Sequence, residues 1–160
     1  MTNDELLVSG ALNGWKTNID RADKIFSSLT EDQLLKEVAP GRNRLIYLWG
    51  HLTAVHDAML PLLGFGQRLH PEFDDIFILK PDKATPSLPS TEEVRRSWSE
   101  INSKLSEGFK KLQPAEWLHR HDAVSEEDYA KNPLRNRFAI LLSRTNHLSY
   151  HLGQAALTPK

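Results

Sequence analysis

Apolar residues recur at Val8, Leu12, Trp15, Ile19, Ala22, Phe26 and Leu29, in steps of four and three. That is the stripe of an amphipathic helix, and it predicts one over 4–29. Thr30 reads as the cap of a short helix, Glu31 to Val38, and Pro40-Gly41 as the break after it. A second long helix is predicted from a cap at Asn43 to about Leu63. Leu48, Val55, Met59 and Leu62 share one of its faces, and Pro61 loosens its last turn. Gly64 and Gly66 end it. The stretch 64–89 then holds Pro71, Pro81, Pro86 and Pro89 and one apolar patch, Ile76 to Leu79. Loops of that length are uncommon in compact domains and often carry a role.

Ser90 followed by Glu93 makes a capping box for a third long helix, striped by Val94, Trp98, Ile101, Leu105, Phe109 and Leu112. A short helix is expected at Pro114–Leu118. Asn132-Pro133 supplies a cap and a first-position proline for a fourth long helix reaching about Leu157, with Phe138, Leu141, Leu148, Leu152 and Ala155 inward. No strand pattern extends beyond the patch at 76–79. Long helices with one apolar face each predict an all-α protein, a four-helix bundle, in a single domain spanning 1–160.

The chemistry sits on two of those helices. His147 and His151 are four residues apart, so their Cβ atoms lie about 5–6 Å from each other on one helix face. His51 stands among Leu48, Val55 and Met59, where an unpaired polar ring is costly to bury. Three imidazoles make an open site for a divalent metal; the alternative is histidines that only pack and hydrogen-bond. Chain direction discriminates. His51 and the His147/His151 pair reach similar depth only if helices 2 and 4 run antiparallel. Run parallel, they are offset by on the order of 9–15 Å at 1.5 Å per residue. Antiparallel helices 2 and 4 require an up-down-down-up bundle with a long crossover between helices 2 and 3, and 64–89 is long enough for one.

The remaining candidates are weaker. His56 is five positions after His51, about 140° around the helix, and is expected to face elsewhere. Asp57, opposite the apolar face, reads as solvated. His70 in the long loop and His119 and His121 before helix 4 have no assigned place. Arg144, one turn before His147, is a candidate for steering an anionic substrate or else a helix-surface charge, and Gln154 is a candidate hydrogen-bond partner behind the site or else an ordinary polar helix position. The pocket is expected between helices 2 and 4, roofed by 64–89 or 119–131.

Composition narrows the chemistry. The formal net charge is −1, so no strong field draws nucleic acid. No apolar run approaches the roughly 18 residues of a membrane span. Cysteine is absent, which excludes disulfides, thiolate metal sites and a cysteine nucleophile. The acidic start, Met1 to Glu5, lacks the basic residues of a signal peptide. A soluble cytoplasmic protein is expected.

Two stretches carry a resemblance. Asn43-Arg-Leu-Ile-Tyr-Leu-Trp-Gly-His51-Leu and Asn146-His147-Leu-Ser-Tyr-His151-Leu-Gly-Gln154 resemble the DinB-like superfamily. Its motif is one histidine on helix 2 and a His-x-x-x-His on helix 4, often followed by Gly-Gln. The resemblance implies an up-down-down-up bundle and a divalent ion on His51, His147 and His151, zinc or nickel ahead of iron or manganese. It implies a thiol-dependent transferase or isomerase acting with a low-molecular-weight thiol such as bacillithiol or mycothiol; with the metal chemistry, the expectation is a metal-dependent S-transferase or hydrolase acting on a small electrophile. It also implies a homodimer. A non-catalytic metal-binding or stress-responsive dimer is the rival reading, since many such proteins were named for induction by DNA damage.

Overall fold

The computed structural model describes residues 1–158, and it is all-helical: these residues contain no strands, only isolated bridges such as Glu37 with Arg44. Helix α1 covers Asn3–Ser27 and begins with a capping box in which Thr2 and Glu5 satisfy each other's backbone N–H groups. A second capping box, Thr30 with Gln33, starts α2, Glu31–Leu34. This helix is shorter than the expected 31–38, because Lys36 and Val38 pair their backbones with Leu45 and Asn43 across the turn at Pro40-Gly41, where Gly41 adopts φ 74°.

The second long helix differs from expectation at both ends. It starts at Leu45 rather than after Asn43, and α3, Leu45–Asp57, has no cap from its own N-cap side chain. Asp82, from the crossover, supplies the cap instead. It accepts the Arg44 backbone N–H at 2.7 Å and the Arg44 guanidinium at 2.6 Å. Pro61 has no N–H to offer the Asp57 carbonyl, so α3 stops there and a separate turn, α4, Met59–Leu62, follows. The patch at 76–79 is not extended: Ile76 and Phe77 close α5, Phe73–Phe77.

Helix α6, Thr91–Lys111, opens with the predicted Ser90/Glu93 box, and Pro114–Leu118 forms a 3-10 turn. Helix α7, Glu126–Lys131, was not anticipated, and it displaces the start of the last helix. Asn132 ends α7, its N–H bonding the Asp128 and Tyr129 carbonyls. Asn136 is the true cap, accepting from Ala139 N–H at 2.8 Å, and α8 runs Arg137–Leu157.

Two apolar clusters form the core. One gathers Ala22 and Phe26 of α1, Leu45 and Trp49 of α3, Val94 and Trp98 of α6, and Leu148 and Leu152 of α8. The other gathers Trp15, Met59, Leu60, Ile101, Leu105, Phe109, Trp117 and Leu141. Helix α1 packs along α8, and α3 along α6, α5 and α8.

Asp57 corrects the sequence reading most sharply. It is fully buried rather than solvated. Its carboxylate pairs with Arg68 at 3.1 Å and accepts the backbone N–H groups of Leu69 and His70 at 2.8 and 3.0 Å. The segment between α4 and α6 is therefore pinned to both ends of α3, by Asp82 at the start and Asp57 at the finish. No helix among the described residues is long and apolar enough to cross a membrane.

Candidate metal centre

The site begins with a missing side chain. A Cβ at Gly50 would stand 2.3 Å from the Phe77 ring, so only glycine lets α5 lie against α3 there. That close approach carries the Phe77 carbonyl to His51, whose Nδ1 lies 2.8 Å from it. A carbonyl only accepts, so Nδ1 bears the proton and Nε2 keeps its lone pair. Tyr47, also under this loop, donates its hydroxyl to the Lys80 carbonyl at 2.6 Å.

On α8 the same device recurs. The Gln154 side-chain oxygen lies 2.7 Å from His151 Nδ1, leaving that ring's Nε2 free as well. Both free nitrogens converge on His147, each 3.1 Å from its Nε2. The three ligand atoms all lie within 4.8 Å of one another, and ring centres are 4.6 to 5.2 Å apart. Ligand nitrogens 2.0–2.1 Å from a tetrahedral ion stand about 3.3–3.4 Å apart, close to what is seen.

Proton counting tests the fit. His147 Nε2 can share a proton with only one of the two lone pairs that face it. If the proton is on Nδ1 instead, it has no acceptor, since that atom is buried without a partner. A cation between the rings satisfies all three lone pairs at once, so the donor set fits a metal ion.

Burial also favours the ligating form. Desolvation, helped by the neighbouring His151, His51 and Arg144, holds His147 down to about 4. Burial lowers His151 too, opposed in part by its bond to Gln154. Neutral imidazole is the state that binds metal. Arg144 is half-buried, its pKa lowered by desolvation, and it makes no ion pair among the described residues.

The other histidines stand apart from this cluster. His56 is not merely turned away: it is fully buried between Trp15 and Trp98, with Nδ1 2.9 Å from the Asn102 side-chain oxygen. His70 bonds Glu72 and Glu100. His119 is exposed, and the His121 N–H reaches the Arg135 carbonyl at 3.4 Å. The 119–131 segment is no roof for the site. Its Asp122 N–H bonds Leu62 and its His119 carbonyl bonds Arg137, about ten residues and ~15 Å along the helices from His51 and His147. Sequence reasoning missed the Phe77 carbonyl, a backbone atom with no sequence signal, and Gly50, whose place beside His51 was a usable one.

These features define an all-helical protein with a three-histidine cluster, drawn from two helices, that could hold a metal ion. The chain belongs to the DinB superfamily, whose sequence pattern matches residues 15–155, a range within which His51, His147 and His151 fall. No curated protein matches it.

Proposed function

We propose that this chain is a single-domain, metal-dependent enzyme that transfers a low-molecular-weight thiol to a small electrophile, with hydrolysis as the variant in which water replaces the thiol. His51, His147 and His151 hold the ion, zinc or nickel. The observation that carries this is the convergence of the Nε2 atoms, two of them with Nδ1 fixed by dedicated acceptors.

The bundle is up-down-down-up in this reading. Support comes from the core: late residues of α1 and α8 cluster with early residues of α3 and α6, as they must if the two pairs run oppositely. The crossover 64–89 allows α3 and α6 to run parallel, and it also delivers Phe77 to His51.

When bound, the ion supplies a Lewis acid that lowers the pKa of a thiol or water brought to it. Three protein ligands leave a position for that substrate. The chain has no cysteine, so the sulfur comes from a cosubstrate. The new carbon–sulfur bond would form as the bond from carbon to the leaving group breaks, with the thiol proton passing to solvent; with an epoxide the ring C–O bond breaks instead and the opened oxygen takes up a proton. Arg144, half-buried and paired with no carboxylate among the described residues, lies one turn from His147, where it would receive an anionic group of either substrate. Phe77 and Gln154 keep the ligand rings oriented. We place the protein in the cytoplasm, where such thiols stay reduced. A homodimer through α8 is part of the proposal, since Leu142, Tyr150 and Leu157 are exposed along one of its faces at 42, 64 and 84%. Sedimentation of Tyr150→Glu tests it, and a variant that sediments like the parent dimer counts against this face.

The activity is tested by incubating metal-loaded protein with bacillithiol, mycothiol or glutathione and a panel of alkyl and epoxide electrophiles. Thiol consumption should accelerate with at least one pair and return to background in His147→Ala. No acceleration with any thiol by a protein that holds its metal would overturn the transferase reading.

A further inference from the structure

Helices α1 and α6 do not close against each other along their length. A cavity of about 750 Å³ opens between them, within the size range of small-molecule sites. It is separate from the three-histidine cluster, none of whose residues line it. Its apolar walls are Trp15, Trp49, Trp98 and Phe109, each at most 6% exposed.

At one end of this cavity two donors lack a hydrogen-bond partner. Trp49 Nε1 and Arg95 Nε are both buried and both without a hydrogen-bond partner. The Arg95 guanidinium lies 5.7 Å from the centre of the Trp49 ring, so the two donors belong to one corner. The ion pair of Arg95 among the described residues is with Glu92, at 3.8 Å, and the Glu92 side chain is 78% exposed. Such a loose surface pair contributes little. The carboxylates lining the cavity have other partners or are distant from Arg95. Asp20 is paired with Lys16 at 2.6 Å, and Asp23 accepts from Trp98 Nε1 at 2.7 Å. Glu107 lies more than three turns along α6 from Arg95, about 18 Å. Buried donors without acceptors are rare in folded proteins, and those here come with a cation and a large aromatic surface.

We propose that the α1/α6 cavity is a second binding site, for a small hydrophobic acid. Its aromatic or aliphatic body lies against Trp15, Trp98 and Phe109, and its ionised head takes the Arg95 guanidinium and the Trp49 N–H. Aromatic rings offer the body a wide apolar surface, and a charge-assisted bond to Arg95 fixes the direction of entry.

A fluorescence titration of the full chain with 8-anilinonaphthalene-1-sulfonate tests this, alongside 1-anilinonaphthalene, the same molecule without the acid. The sulfonate should saturate at one per chain and bind about tenfold more tightly than the neutral compound, one charge-assisted bond's worth. Arg95→Gln should remove that advantage and leave the neutral compound unchanged. Ser103→Trp, which fills the cavity from an exposed position on α6, should abolish both; Ser106→Trp serves if the first variant loses its helical circular dichroism. His147→Ala should alter neither. Three results would overturn the proposal: no saturable binding, equal affinities that ignore Arg95→Gln, or binding that survives the cavity-filling variant.

Discussion

His51 and His56 stand five residues apart on one helix, yet their surroundings differ in kind. At His51 the crossover supplies a carbonyl for one ring nitrogen, and the other meets His147 at 3.1 Å. At His56 the ring is fully buried, one nitrogen meets Asn102, the other meets nothing, and Trp15 and Trp98 pack at 4.7 and 4.9 Å. Burial drives His56 down to about 3, so it is a neutral core ring. The difference teaches that a histidine becomes a ligand candidate through its neighbours. It needs a partner that fixes its proton and other lone pairs aimed at the same point. The His56 end of α3 is packed into the core; the His51 end belongs to the cluster that could hold a metal ion.

Four substitutions press on that division. The largest effect is expected from Asp57→Ala, beside His56. It strips Arg68 of a fully buried partner and frees the Leu69 and His70 amides. Urea unfolding should show a loss of about 3–5 kcal/mol, while the folded molecules keep their metal. Loss of metal at unchanged stability would invert the comparison.

Gly50→Ala comes next, because it acts on both sides of the division. The new methyl meets the Phe77 ring at 2.3 Å and pushes α5 away from α3. Overpacking costs about 1–3 kcal/mol. His51 also loses its acceptor, so metal affinity should fall by about 10–100-fold in a competition titration. An unchanged affinity would show that Phe77 does not orient His51.

Gln154→Leu should touch only the chemical end. It removes the acceptor of His151 Nδ1 from a half-buried position. Metal affinity should drop about tenfold, with the melting temperature of the metal-free protein unmoved.

The smallest effect is a pH dependence at His56. His56 has a folded pKa of about 3, well below the ordinary histidine value of 6.5. Its contribution to stability is thus complete above about pH 6.5 and is lost progressively as pH falls toward 3, because the unfolded chain takes up the proton first. The charged and titratable groups acting on it are His147, Arg144 and His51. Urea midpoints of His56→Phe should fall less steeply on acidification than those of the parent, by under about 1 kcal/mol at pH 6. Parallel slopes would mean that this ring is not the neutral core residue described.

Much of this was legible in the sequence where the signal is local. The Thr30 and Ser90 caps, the stripes of α1 and α6, and the 114–118 turn depend on residues within a few positions of each other. The histidine cluster was legible because the four-residue spacing puts His147 and His151 on one helix face, and His51, set on an apolar face, joins them. What escaped depends on distant partners. Asp57 is buried because Arg68, eleven positions on, folds back to it, and Arg44 is capped by Asp82. Asn132 and Asn136 are both plausible caps by type, and only the folding of α7 decides between them.

The central claim is that three imidazoles share one ion. X-ray absorption on protein purified without an affinity tag tests it most directly. One ion per chain, bound by three imidazole nitrogens at about 2.0–2.1 Å if it is zinc, and lost in His147→Ala, is the predicted result. A parent protein that takes up no divalent ion, or a His147→Ala variant that keeps its full complement, would contradict it.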